Sequence, residues 1–165
     1  MYFEKVDKSV WQDNIKVDVD QSIIDRWYDE IKLPKQGTAH SAGMDFFTPF
    51  TIKIMPHAKG LIPTGVRWVT DVHNKDKMLT LYPRSGLGFK HGIRLMNTVG
   101  IVDADFCNSD NGGHIMIKLY NPSDEPITLN KGQAFAQGII TQYYICESAE
   151  SSDSRTGGFG STDRK

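Results

Sequence analysis

An all-β domain, a sandwich or a barrel, is the fold class that the sequence predicts, and three observations carry it. From Ala42 onward, short runs rich in Ile, Val, Phe, Tyr and Thr are separated by Gly, Pro, Asn and Asp, the punctuation of an antiparallel β chain. Within those runs Ile52 and Ile54, and Ile115 and Ile117, alternate with more polar neighbours, as strands with one buried face require. Pro49, Pro56, Pro63, Pro83, Pro122 and Pro126 fall between or at the ends of the runs, where a missing backbone donor does least harm. The pattern predicts strands over 43–48, 50–55, 60–69, 77–82, 93–97, 114–120, 126–129 and 133–145.

Before the strands lies the one persuasive helix. Ser22 followed three residues later by Asp25 reads as a capping signal, and Ile23, Trp27 and Ile31 recur every four residues, so one apolar stripe is available for packing. Pro34 is expected to end the helix. The 165 residues suit one domain on a prior of roughly 150 residues per domain. The expected division is an N-terminal extension over 1–34, a β domain over 35–147 and a flexible C-terminal arm over 148–165.

Composition removes several function classes. Lys plus Arg number 19 and Asp plus Glu 20, so no surplus of positive charge is available to coat a nucleic-acid backbone. The longest apolar run, Tyr143 to Cys146, has four residues, whereas a spanning helix needs about 20. The N-terminus, MYFEKVDKSV, lacks an apolar signal core, and a cytoplasmic location is expected. Cys107 and Cys146 lie 39 residues apart with no ligand-spaced partner, and no two of the five histidines stand four apart, which argues against a disulfide framework, a structural zinc or a two-histidine metal helix.

Five segments carry chemical promise. Pro83-Arg84-Ser85-Gly86-Leu87-Gly88 follows the run LTLY and offers a guanidinium, a hydroxyl and bare backbone where a strand gives way to a loop or helix start, a phosphate cradle or an ordinary turn. In Asn97 to Phe106 two apolar runs bracket Gly100 and lead to Asp103 and Asp105. This reads as a hairpin whose main chain and Asn97 amide can read the edge of a flat heterocycle, with Asp103 as a general base, or as a tight turn with solvated carboxylates. Ala42-Gly43-Met44-Asp45 opens the first β run, and Gln137 interrupts an apolar strand, where a buried amide needs a partner. In the tail, Arg155-Thr-Gly-Gly-Phe159-Gly160-Ser161-Thr162 joins a cation, an aromatic face, flexible glycines and hydroxyls, a combination suited to closing over an anionic, ring-bearing ligand.

Taken in order, AGMDF, PRSGLGFKHGI, NTVGIVDADF, KGQAFAQG and RTGGFGST resemble the five motifs of the homotrimeric dUTPase family, over about three quarters of the chain. The resemblance implies a distorted jelly-roll β-barrel that trimerises, with each active site shared among three subunits and its last motif supplied by the C-terminal arm. It implies hydrolysis of dUTP to dUMP and pyrophosphate, with Mg²⁺ held by the substrate phosphates and not by a protein cage. On that basis Asp103 activates the water. Arg84, Ser85, Gly86 and Gln137 meet phosphates, Asp45 supports them, Asn97 with the backbone of Gly100, Ile101 and Val102 reads uracil, and Phe106 lies under the sugar. From the arm, Arg155, Gly160, Ser161 and Thr162 engage phosphate and Phe159 covers the base. Phe106 stands where the family usually has tyrosine, Ala134 where a basic residue is frequent, and Cys107 to His114 replaces a shorter turn. The related dCTP deaminases lack such an arm, and no segment argues for a regulatory protein partner.

Overall fold

The computed structural model describes residues 1–146 and Gly157. The chain begins with β1 (Tyr2–Lys5), α1 (Lys8–Asn14) and α2 (Gln21–Asp29), followed by β2 (Lys35–Gln36), β3 (Met44–Phe47), β4 (Ile52–Ile54), β5 (Lys59–Pro63), β6 (Val66–Val69) and β7 (Lys77–Pro83). Then come α3 (Ser85–His91), β8 (Arg94–Leu95), β9 (Gly100–Asp103), β10 (Met116–Tyr120), β11 (Ile127–Leu129) and β12 (Ala134–Gln142). Strands dominate, as expected. The largest sheet has the order β2-β3-β12-β7-β9, beside a three-stranded sheet β5-β10-β8 and the pairs β11-β4 and β1-β6. Every strand pairing among the described residues is antiparallel. Among the described residues no helix is long and apolar enough to cross a membrane.

Inward residues of the sheets, including Phe46, Ile62, Trp68, Leu79, Ile117, Leu119 and Phe135, form the main core. Ile117 and Leu119 are buried and Lys118 between them is exposed, the alternation that predicted the strand. Residues 1–34 are tied into the domain by a second core of Val6, Trp11, Ile15, Ile24, Ile31 and Val66, and by β1, which pairs with β6 from Tyr2↔Val69 to Lys5↔Val66.

Several expectations need correction. Ser22 lies inside α2 and caps nothing; the N-cap is Asp20, and Asp25 instead accepts from Gln12 and Gln21 and pairs with Lys8 at 3.0 Å. Asp25 thereby ties α1 to α2. The helix stops at Asp29, ahead of Pro34, and Ile31 enters the second core from irregular chain. The run 60–69 breaks into β5 and β6 because Gly65 takes φ 71°, a left-handed conformation that ends a ladder. The strand expected over 93–97 shortens to Arg94–Leu95. β1, β2 and α1 are additional to the expected elements, whereas β9 lies in the segment expected as a hairpin and α3 in the one expected as a loop or helix start.

Candidate active site

β12 organises one end of the large sheet. Its register with β3 slips between Ala134 and Ala136, a bulge at Phe135, while on the β7 side the Phe135 carbonyl accepts from the Arg84 N–H at 3.1 Å. Such bulges re-aim strands beside functional sites. Beyond it Gln137 stands opposite Asp45 on β3 and Tyr82 on β7. Three segments far apart in sequence therefore meet: Arg84 lies 3.3 Å from the Asp45 carboxylate, and Gln137 donates to the Pro83 carbonyl at 3.4 Å. Asp45 is 15% exposed and Arg84 45%, so the carboxylate is the fixed partner and the guanidinium the reaching one.

Gly43 makes this packing possible. A Cβ there would come within 2.6 Å of the Gln137 Oε1, so any side chain would push the amide away. Ser85 and Gly86 open α3 and are exposed. Their N–H groups belong to a first turn whose donors have no acceptor within the helix, while the Arg84 carbonyl accepts from Leu87 and Gly88.

The segment expected to be a hairpin is not one. β8 pairs with β10 and β9 pairs with β7, so residues 96–99 carry the chain from one sheet to another. Thr98 accounts for this: it adopts φ 65° and its N–H bonds to the Leu95 carbonyl at 3.1 Å, a tight turn that splays the two strands instead of pairing them. Asn97 is exposed at this turn. β9 is the last strand of its sheet, so one edge of Gly100, Ile101 and Val102 faces away from the ladder with β7. Val102 is buried and Ile101 is 60% exposed. Asp103, half-buried, shares the outward face with Ile101.

Around Asp103 the structure adds residues that no sequence pattern singles out. The Thr70 hydroxyl donates to the Ala104 carbonyl at 2.6 Å. The Tyr143 hydroxyl donates to the Lys75 carbonyl at 2.7 Å, and burial first, then the negative charges of Asp103, Asp105 and Asp76, hold the phenol above its ordinary pKa. Phe106 is 6% exposed and belongs to the main core, so little of its ring is open to a ligand. Arg155, Phe159, Gly160, Ser161 and Thr162 lie outside the described residues.

The two groups are not adjacent within one chain. Asp103 pairs with Met78 at the start of β7, and Ala136 pairs with Pro83 at its end, a separation of about 17 Å along an extended strand. Among the described residues no three His, Cys, Asp or Glu side chains converge to hold a metal.

Comparison with known proteins gives a consistent result. The family model described as dUTPase matches residues 29–163. A deoxyuridine 5'-triphosphate nucleotidohydrolase of Lactococcus lactis subsp. lactis (strain IL1403) is 36% identical over 135 residues, covering 80% of this chain and 88% of the relative. One from Shewanella sp. (strain ANA-3) is 37% identical over 161 residues, covering 92% of this chain and all of the relative. Among solved structures, a dUTPase from Streptococcus mutans superposes with a TM-score of 0.67 at 30% identity, covering 89% of this chain and 99% of that one.

Proposed function

This chain belongs to the dUTPase family and hydrolyses dUTP, and we propose that it forms dUMP and pyrophosphate by attack of water on the α-phosphorus, with Asp103 as general base. As the water oxygen bonds to phosphorus, its proton passes to the Asp103 carboxylate and the bridging P–O bond breaks, releasing pyrophosphate. This chemistry asks for charge neutralisation and in-line placement more than for a strong nucleophile. Mg²⁺ held by the triphosphate oxygens supplies part of that neutralisation. Arg84 and the first N–H groups of α3 at Ser85 and Gly86 hold phosphate oxygens, Gln137 contributes its amide, and Asp45 keeps the guanidinium in place. Asn97 and the open edge of Gly100, Ile101 and Val102 pair with uracil, and the small exposed part of Phe106 walls the sugar. Arg155, Gly160, Ser161 and Thr162 of the arm add phosphate contacts, and Phe159 covers the base.

What carries this reading is the separation along β7. Phosphates held at Ser85 and Gly86 lie a strand length from the Asp103 of the same chain, whereas reacting atoms must come within about 3.5 Å. A second copy presenting its β9 beside Arg84 closes the gap, so the site is shared between copies, in the homotrimer that the family resemblance implies. The exposed Ile101 on the outward face of β9 suits burial against a neighbour.

Base choice follows from hydrogen bonding. Uracil offers two carbonyls around a ring N–H, and backbone groups that match them present the wrong donor to cytosine. Pyrophosphate release measured with Mg²⁺ from dUTP, dCTP, dTTP and UTP tests the proposal: a strong preference for dUTP supports it, and equal rates on dCTP would overturn it.

A further inference from the structure

We propose that Thr70 is a positioning residue for the general base, held in place by the N-terminal strand. The inference rests on the assignment of Asp103 as base. Asp103 is the last residue of β9, so the pairing with β7 orients its backbone on one side only. Immediately after it the chain leaves the sheet through Ala104 and Asp105 into a short 3-10 turn at Phe106–Asn108. The direction of a carboxylate at the end of an edge strand depends on how the chain just beyond it is held. The Thr70 hydroxyl, 34 residues away in sequence and part-buried, holds it by donating to the Ala104 carbonyl at 2.6 Å, which the Cys107 thiol also approaches at 3.8 Å. That carbonyl belongs to the peptide that joins Ala104 to Asp105, one residue beyond the base.

Thr70 is itself anchored. It follows β6, and β1 pairs with β6 up to Tyr2↔Val69. On its other side Asp71 lies 3.8 Å from the N-terminal ammonium and accepts from the His73 N–H at 2.9 Å. Phe3, opposite Trp68, packs against both hydrophobic clusters and edge-on to Phe46. The first five residues therefore brace the strand that presents the hydroxyl, which gives the N-terminal segment a part in catalysis without any contact with substrate.

The consequence is a change in turnover more than in binding. Losing the hydroxyl frees the turn after Asp103 by a fraction of an ångström, enough to misalign an attacking water, while the phosphate-binding groups at Arg84 belong, on the shared-site reading, to another copy whose own fold holds them. In the full-length protein with Mg²⁺ and dUTP, Thr70→Val is expected to lower kcat about tenfold with KM within about twofold. Thr70→Ser, which keeps the donor, should restore kcat to within about twofold, and the melting temperatures of both should stay close to that of the parent. Thr70→Ala removes the hydroxyl without a methyl in its place and gives the same reading should valine fit badly. Unchanged kcat in Thr70→Val and Thr70→Ala, or a loss that serine fails to restore, overturns the proposal. Asp103→Asn, measured in parallel, separates the two assignments: normal turnover there rejects Asp103 as base, whereas an inactive Asp103→Asn beside a normal Thr70→Val rejects Thr70 alone.

Discussion

The backbone N–H of Gly65 donates to Nε2 of His114 at 2.9 Å. With Nε2 accepting, the ring proton sits on Nδ1, which is buried and has no hydrogen-bond partner among the described residues. The imidazole lies against Trp11 with ring centroids 6.3 Å apart, and burial lowers its pKa from 6.5 to about 4. The folded protein keeps the ring neutral where the unfolded chain protonates it. Between about pH 6.5 and 4 the unfolded state binds more protons, so stability falls as the pH falls through that window and is unaffected by this group above it. The expected loss is up to about 3 kcal/mol. Urea unfolding across the window measures it, and His114→Gln, which keeps an acceptor for Gly65, should flatten the slope. A variant slope identical to the parent's would assign the acid sensitivity to other groups.

Asp103→Asn removes a proton acceptor and leaves the phosphate-binding groups untouched. Turnover is expected to drop about a hundredfold or more while nucleotide affinity changes by less than about tenfold. Single-turnover pyrophosphate release and equilibrium binding of a non-hydrolysable dUTP analogue measure the two effects separately.

Arg84 and Asp103 are expected to belong to different subunits of one site. Asp103→Asn and Arg84→Ala should each be nearly inactive, yet mixing and refolding the two together should regain activity. Hybrid trimers combine an intact Arg84 of one copy with an intact Asp103 of another. Failure to regain activity, with hybrids verified by mass spectrometry, would return the whole site to one chain.

Gly43→Ala places a methyl 2.6 Å from the Gln137 Oε1 and should displace that amide from the phosphate side. Gln137→Ala should have a similar effect on kcat/KM, and the double variant should be little worse than either, because both remove one interaction. Additive losses in this double-mutant cycle would show that Gly43 acts elsewhere.

The strands from Ala42 onward were legible because alternation along a half-buried strand is written directly in residue order, as at Ile115, Ile117 and Leu119. α3 was not, because SGLGFKH carries two glycines that weaken any helical signal. Tyr2–Lys5 has no periodicity of its own and becomes a strand only because β6 offers an edge. The turn after Asn97 misread as a hairpin because apolar runs report that strands exist and not which strands pair. Arg84, Asp45 and Gln137 were each legible as motif members, yet their meeting depends on cross-strand register and on the bulge at Phe135, which no linear spacing encodes. Thr70 had no signal at all: a lone hydroxyl after a strand is unremarkable until its carbonyl partner is known.

The length of β7 that separates Asp103 from Arg84 also bears on how the protein must be handled. On the shared-site reading, an isolated copy holds every needed group and still cannot work, so specific activity depends on how concentrated the protein is. Dilution below the dissociation constant of the assembly would silence it without unfolding it, and the rate would then rise more steeply than in proportion to the amount of protein added.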